Sequence, residues 1–209
     1  MNDADIVIID YGMGNLGSIK NMLKYLGIPA IITKDIPVIK NAKKIILSGV
    51  GAFDSGMQNI RNAGLIPVLN KKVLEEKMPI LGICLGMQLL TRKSEEGELP
   101  GLGWISADTI KFRFDNQADK LRIPHMGWNQ VQIRKNGKLF SNMHGETRFY
   151  FVHSFHPVCD NVDDVVCETS YGDPFVSGIE RENIYGVQFH PEKSHRFGMK
   201  LLKNFIELA

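Results

Sequence analysis

The sequence has few cysteines, little net charge and no long apolar run. Its three cysteines, Cys84, Cys159 and Cys167, are odd in number and include no Cys-x-x-Cys pair, so neither a disulfide framework nor a zinc ribbon is expected. The formal net charge of +2 gives no reason to expect nucleic acid or an anionic membrane as a partner. No apolar run approaches the roughly 20 residues that span a bilayer, and the first ten residues do not resemble a secretory signal. These absences favour a protein of the reducing cytoplasm.

What the chain does contain is the composition of an ordinary globular protein, with 44% hydrophobic and 23% charged residues among 209. In its first half, short apolar runs alternate with segments of helical spacing, which predicts a parallel sheet with helical crossovers. The predicted strands are Asp5–Asp10, a strand beginning at Ile31, Lys44–Leu47 and Pro79–Cys84, and the predicted helices are Leu16–Leu26, one broken or two short helices over residues 54–77, and Met87–Thr91.

The second half has a different pattern, rich in β-branched and aromatic residues that are separated by Asn, Asp and Gly. This pattern predicts strands and hairpins within residues 101–114, 123–134, 148–155, 165–171 and 175–190. A final helix is predicted over Gly198–Leu208. Because no repeat or low-complexity linker divides the chain, the sequence predicts one α/β domain over residues 1–209, with a mixed sheet.

Gly82-Ile83-Cys84-Leu85-Gly86 places a cysteine between two glycines, directly after a predicted strand and before a predicted helix. This is the Gly-x-nucleophile-x-Gly elbow, in which a sharp turn lifts the nucleophile to the carboxyl edge of a sheet. The adjacent helix N-terminus favours the thiolate over the thiol. A free cysteine in a tight turn is also a common buried hydrophobe, so the motif needs its context. Cys159 and Cys167 have no such context and are interpreted as structural.

A thiol nucleophile needs a base and a group that orients the base. Among six histidines, His190 stands out because His190-Pro191-Glu192 follows the strand-like run at residues 184–189. Two residues apart in an extended chain lie on the same face, and Pro191 favours extended geometry at His190. Glu192 can therefore hold His190 in the tautomer that a base requires. A surface turn after a strand remains the alternative from this local sequence alone.

Two longer motifs together resemble the class I glutamine amidotransferase family: GICLGMQLL at residues 82–90 and GVQFHPEKS at residues 186–194. The resemblance covers nearly the whole chain. It implies a three-layer, flavodoxin-like α/β fold with a mixed, mostly parallel central sheet, L-glutamine as substrate, and no metal or cofactor. In that family the cysteine attacks the side-chain amide, the histidine takes the thiol proton and protonates the leaving ammonia, and the glutamate orients the histidine. Carried over, these roles fall on Cys84, His190 and Glu192.

The resemblance also implies an oxyanion hole and a substrate site. The expected oxyanion donors are the amide N–H of Leu85, next to the nucleophile, and that of Val50, in the loop Ser48-Gly49-Val50-Gly51. A plain glycine turn after a strand is the alternative for this loop. Family members usually carry proline where this chain has Ser48, so the loop is expected to rotate more readily. The residues expected at the substrate are Gly49, Gly51, Gln88, His153, Ser154 and Phe155, with a packed core histidine and a helix-surface glutamine as the alternatives for His153 and Gln88.

Further segments resemble one subgroup, the glutaminase subunits of imidazole glycerol phosphate synthase. They are YGMGN at residues 11–15, GVG-x-F at 49–53, PHMGWN at 124–129 and EKS at 192–194. The resemblance implies a (β/α)8-barrel cyclase as heterodimer partner, with Asn15, Trp128 and Lys193 at the interface, although Trp128 is alternatively a core residue. Residues 192–198 also resemble paralogues that supply ammonia for surface-sugar amidation. A thiol peptidase on a related fold and a non-catalytic binding module are the more distant alternatives.

Overall fold

The computed structural model describes residues 5–114, 121–143 and 145–209. The strands, in chain order, are β1 (Ile6–Ile9), β2 (Ala30–Thr33), β3 (Lys44–Gly49), β4 (Ile80–Cys84), β5 (Ala107–Lys111), β6 (His125–Gln130), β7 (Gln132–Ile133), β8 (Arg148–His153), β9 (Phe155–Cys159), β10 (Val165–Tyr171), β11 (Asp173–Arg181) and β12 (Ile184–Val187). The α-helices are α1 (Leu16–Tyr25), α2 (Ile36–Asn41), α3 (Phe53–Asn62), α4 (Leu65–Asn70), α5 (Leu85–Leu89) and α6 (His195–Leu208). A π-helical turn, Lys71–Glu75, continues α4, and 3-10 turns occupy Val162–Asp164 and Pro191–Lys193.

Eight strands form the central sheet, in the order β2-β1-β3-β4-β12-β11-β10-β7. The first five of these are mutually parallel, and the last three add antiparallel pairs. The predicted α/β fold with a mixed, mostly parallel sheet is therefore confirmed. Two small antiparallel sheets, β5-β9 and β6-β8, lie beside it.

The parallel strands are buried on both faces, so alternate residues serve two separate cores. Ile6 and Ile8 of β1 pack into the core that contains α1 and α6. Val7 and Ile9 of the same strand pack into the core that contains α2 to α5. The result is three layers, with helices on both faces of the sheet, and the carboxyl ends of β3, β4 and β12 meet along one edge.

Two predicted helix boundaries were wrong. The fifth helix begins at Leu85 rather than Met87, because the chain turns sharply at Cys84 and the helix starts at once. The last helix begins at His195 rather than Gly198. Gly198 lies in the first turn of this helix, and only glycine fits there because a β-carbon would come within 1.8 Å of the Pro191 carbonyl oxygen. Along the described ranges, no helix has both the length and the apolar character that a bilayer crossing requires.

Candidate active site

Cys84 lies at the junction of β4 and α5 with φ 53° and ψ −111°, a strained backbone conformation for any residue with a side chain. The glycines on either side make this turn possible. A β-carbon on Gly86 would lie 1.7 Å from the Leu47 carbonyl oxygen of β3, and one on Gly82 would lie 2.8 Å from the Gly86 oxygen. The elbow is therefore packed directly against the end of the neighbouring strand, and it turns Cys84 out at the carboxyl edge of the sheet.

His190 and Glu192 form a buried pair just beyond β12. His190 Nδ1 lies 2.8 Å from Glu192 Oε1, and the two side chains are 1% and 3% exposed. The backbone holds His190 on both sides, since its N–H donates to the Tyr150 carbonyl at 2.9 Å and its own carbonyl accepts from Ser194 Oγ at 2.6 Å. Because β12 pairs with β4 in parallel, the pair arrives beside Cys84, and His190 Nε2 is left without a hydrogen-bond partner on the described residues.

The charges of this site favour a protonated imidazole. Burial lowers the pKa of His190, but its contacts with Cys84 and Glu192 outweigh burial and raise the pKa to about 9. At neutral pH the proton therefore sits on His190 before any substrate binds. Burial raises the pKa of the Cys159 and Cys167 thiols to about 12 and keeps both protonated.

A small cavity of about 90 Å³ opens beside the Cys84 thiol, and we refer to it as the Cys84 cavity. Its lining includes both expected oxyanion residues and all of the expected substrate residues except Gly49, which ends β3 directly opposite Cys84. The lining residues are Val50, Gly51, Cys84, Leu85, Gln88, Glu96, Val152, His153, Ser154 and Phe155. The cavity thus collects residues that lie far apart in the sequence around the Cys84 thiol.

Gln88 faces inward and is not a helix-surface glutamine. Its Nε2 donates to the Phe155 carbonyl at 3.0 Å and to Gln188 Oε1 at 3.2 Å, and the amide of Gln188 lies 3.9 Å from Cys84 Sγ. His153 lines the cavity and is also buried, with Nδ1 2.8 Å from the Phe155 carbonyl. Both predicted residues therefore help to build the cavity through the same carbonyl oxygen.

Sequence reasoning missed Glu96 and Gln188. Glu96 lines the Cys84 cavity, and its carboxylate accepts the Phe53 N–H at 2.9 Å. It lies in an irregular stretch between α5 and β5, where no periodic pattern could have indicated it. Gln188 lies two residues before His190 in an extended segment, and that spacing was the available sign that both side chains share a face.

The residues expected at a partner interface lie on the protein surface. Trp128 is 47% exposed, which is inconsistent with a core position, and it stacks on His195 with 5.6 Å between ring centroids. The Lys193 ammonium lies 5.6 Å from the centre of the Tyr150 ring, and Tyr150 also contacts Trp128 edge to face. Asn15 caps α1, which packs against the Pro191–Lys193 turn. Trp128 and Lys193 thus share one surface around Tyr150.

Within the three described ranges, no group of three or more His, Cys, Asp or Glu is arranged to hold a metal ion.

Comparisons with known proteins give one consistent result. Imidazole glycerol phosphate synthase subunit HisH 2 of Methanococcus maripaludis is 57% identical over 98% of this chain and 100% of its own length. The protein of the same name from Pseudomonas aeruginosa is 48% identical with the same coverage, and subunit HisH of Bdellovibrio bacteriovorus is 45% identical over 97% of this chain and 100% of its own.

Among solved structures, the crystal structure of a glutamine amidotransferase superposes with a TM-score of 0.71 at 22% identity, covering 97% of each chain. The structure of PurLQS from Thermotoga maritima gives a TM-score of 0.69 at 18% identity, covering 96% of each chain. These likenesses show a shared fold. The family model "Glutamine amidotransferase class-I" matches residues 7–208, so the chain belongs to the class I glutamine amidotransferase family.

Proposed function

We propose that this chain is the glutaminase subunit of an imidazole glycerol phosphate synthase in histidine biosynthesis. It hydrolyses L-glutamine to glutamate and ammonia and passes the ammonia to a (β/α)8-barrel cyclase subunit. Full-length relatives at 45% to 57% identity that carry this subunit name support the proposal. The observation that carries it is the strained Cys84 elbow, which opens onto a small cavity and lies beside the buried His190–Glu192 pair.

In the first proposed step, protonated His190 acts as the general acid. The Cys84 sulfur attacks the side-chain carbonyl carbon of glutamine, and the carbonyl π electrons move onto oxygen. The N–H groups of Val50 and Leu85 are the proposed donors to that oxyanion. As the C–N bond breaks, His190 gives its proton to the leaving amine, which departs as ammonia and leaves a thioester on Cys84. The raised pKa of His190 suits this role, since the proton is in place before the attack.

The second step regenerates the enzyme. His190, now neutral, accepts a proton from a water molecule as that water attacks the thioester carbonyl. The C–S bond then breaks, glutamate leaves, and the proton on His190 again faces the Cys84 sulfur. Glu192 stabilises the imidazolium before the first step and after the second, through its 2.8 Å contact with His190 Nδ1. The Glu96 carboxylate, in the lining of the cavity, is the proposed partner of the α-ammonium group of glutamine.

The partner surface that we propose surrounds Trp128. Met126, two residues earlier in β6, is 62% exposed and lies on the same face of the strand. A cavity of about 560 Å³ lies between Trp128, Arg148 and residues 195–197. An exposed aromatic anchor beside exposed apolar side chains is typical of a protein interface. Val50 is 49% exposed, so a docked subunit can also press on the oxyanion loop and activate the glutaminase.

A second candidate recipient of the ammonia is a surface-sugar amidation enzyme. Residues 192–198 resemble paralogues that supply ammonia to such an enzyme. A thiol peptidase or a non-catalytic module is disfavoured, because the family match spans residues 7–208 and the three catalytic candidates lie together. We further propose a cytoplasmic location, which the three free cysteines support.

The test uses the complex with each candidate synthase subunit in turn. We expect Cys84→Ala to abolish glutamine-dependent synthesis while ammonium salts still support it, and Cys159→Ala to keep both activities. A diazo-ketone analogue of glutamine should label Cys84 and leave Cys159 and Cys167 unlabelled, as peptide mass mapping would show. Glutamine hydrolysis by the Cys84→Ala variant would overturn the glutaminase proposal. Binding and coupled turnover with only the sugar synthase would overturn the histidine pathway alone.

A further inference from the structure

A chain of hydrogen bonds runs behind the cavity wall, by which we mean residues 152–155. His153 Nδ1 lies 2.8 Å from the Phe155 carbonyl oxygen, and His153 Nε2 lies 3.1 Å from His125 Nδ1. His125 Nε2 in turn lies 3.2 Å from the side-chain nitrogen of Asn129. Three strands supply these residues, since His125 and Asn129 belong to β6, His153 ends β8 and Phe155 begins β9. These hydrogen bonds therefore connect the wall of the Cys84 cavity to β6.

The backbone fixes the orientation of the Asn129 amide at one end of this chain. The Gln130 N–H, which can only donate, lies 2.8 Å from Asn129 Oδ1. The Ser170 carbonyl, which can only accept, lies 2.9 Å from Asn129 Nδ2. Because both contacts identify the side-chain nitrogen as the atom that faces His125, Asn129 donates to His125 Nε2. His125 Nε2 therefore carries no proton.

That assignment determines both imidazoles. A neutral His125 without a proton on Nε2 has one on Nδ1, and it donates this proton to His153 Nε2. His153 then carries its own proton on Nδ1 and donates to the Phe155 carbonyl. The carbonyl imposes the same result from the other end, since it can only accept. The direction of each hydrogen bond is thus fixed from both ends, by Asn129 and by the Phe155 carbonyl. An extra proton on either histidine would make two donors face each other.

The surroundings of the pair also disfavour protonation. The rings of Phe112 and Phe175 contact both histidines, and Phe151 and Tyr171 complete the packing around His125. The titratable groups that face His153 are the other histidines His125, His156 and His190, and the carboxylate of Glu95 acts on His156. Burial lowers the pKa of His125 to about 4 and that of His153 well below its usual range, where the neighbouring histidines lower it further.

We propose that Asn129 and His125 are positioning residues for the glutaminase, which hold His153 neutral and in one tautomer so that it anchors the cavity wall at the Phe155 carbonyl. This inference rests on the proposed function, because it takes the Cys84 cavity as the glutamine site. The anchor matters because Gln88 donates to the same carbonyl oxygen. Release of His153 would therefore move the wall and Gln88 together.

The test replaces the donor without changing its size. Asn129→Asp has no side-chain N–H, so His125 Nε2 must acquire a proton to satisfy the new carboxylate. Gln130→Glu is the matched control, since it adds the same charge at the next, exposed position of β6. We expect the full chain, labelled with ¹⁵N-histidine, to show both imidazoles neutral with the proton on Nδ1 between about pH 5.5 and 8. Asn129→Asp should show a protonated imidazole at pH 6.5, and Gln130→Glu should match the wild type.

Kinetics on the complex with the cyclase subunit supply the second readout. We expect Asn129→Asp to raise the KM for glutamine about tenfold, while kcat changes less than about threefold, because a hydrogen bond that positions the wall is lost. His125→Gln keeps one donor and one acceptor and should stay within about threefold of the wild-type KM, whereas His125→Leu should resemble Asn129→Asp. If Asn129→Asp fails to fold, the two His125 variants decide.

A wild-type His153 that carries its proton on Nε2 or titrates above pH 6 would overturn the proposal, as would equal KM values for His125→Gln and His125→Leu. Failure of the proposed function looks different: the wild-type complex would not hydrolyse glutamine, while the imidazole spectra would remain as expected.

Discussion

The backbone conformation of Cys84 predicts that this proposed nucleophile position destabilises the fold. A residue with a β-carbon at φ 53° and ψ −111° costs of the order of 1–3 kcal/mol relative to an allowed conformation, and glycine largely escapes this cost. Cys84→Ala keeps the β-carbon and hence the strain, whereas Cys84→Gly removes it. Both variants lack the thiol, so the difference between them contains no contribution from the sulfur.

Glycine has costs of its own, which a control must remove. It gains freedom in the unfolded chain, which costs about 0.5–1 kcal/mol, and it loses the burial of one methyl group, which costs about 0.8 kcal/mol. Ala42→Gly has both costs at a buried residue with relaxed geometry, φ −63° and ψ 149°. The step from Cys84→Ala to Cys84→Gly should therefore be more favourable than Ala42→Gly by about 1–3 kcal/mol.

Urea unfolding of the isolated chain measures each difference, provided that the denaturant slopes agree among the variants. If the step to glycine at position 84 costs as much stability as Ala42→Gly, the elbow holds no strain and this interpretation of the nucleophile turn is wrong. Activity does not enter the comparison, so the result is independent of the synthase that receives the ammonia.

The remaining predictions concern the reaction and the partner. His190→Ala should lower the glutaminase kcat at least ~10²-fold and Glu192→Gln by less, about 10- to 100-fold, and steady-state ammonia release would show equal losses if the two roles are misassigned. Because His190 must be protonated, activity should fall as pH rises through about 9, and Glu192→Gln should move that limb to lower pH in a pH–rate profile. Glu96→Gln should raise the KM for glutamine about tenfold with little change in kcat, whereas the exposed Glu98→Gln should change neither. Trp128→Ala should weaken cyclase binding by at least about tenfold in titration calorimetry, whereas Tyr25→Ala, at another exposed aromatic residue, should leave the affinity unchanged. If both variants bind the cyclase equally well, the interface lies elsewhere.

The parts of the fold that the sequence predicted well are those with dense local patterns. The strand predicted at Asp5–Asp10 is observed at Ile6–Ile9, and the helix predicted at Leu16–Leu26 is observed at Leu16–Tyr25. Burial on both faces demands a continuous apolar run, and burial of one helix face demands a 3.6-residue period, so both leave clear traces. Helix α2 was missed because six residues are too few to show a period, and β9 because almost no turn separates it from β8.

The same distinction applies to the site. The Cys84 elbow is visible because its geometry is encoded in five consecutive residues, and His190 and Glu192 are visible because they are two apart in an extended segment. Glu96 and the pair formed by His125 and His153 are not visible in this way. Their meeting depends on how β6, β8 and the stretch after α5 pack in three dimensions, and no local spacing records that packing.

Strand β6 also limits how partner binding at its outer face can affect the residues on its inner face. It shows Met126 and Trp128 to the outside and turns His125 and Asn129 inward, and it is held to β8 by a six-residue ladder. A slip of one residue along that ladder would exchange the two sets, burying the tryptophan and exposing the imidazole. Strand β6 therefore cannot respond to a partner by shifting its register against β8. A partner that binds the outer face can therefore only tilt or shift β6 as a rigid body, and His125 and Asn129 on the inner face must move with the strand.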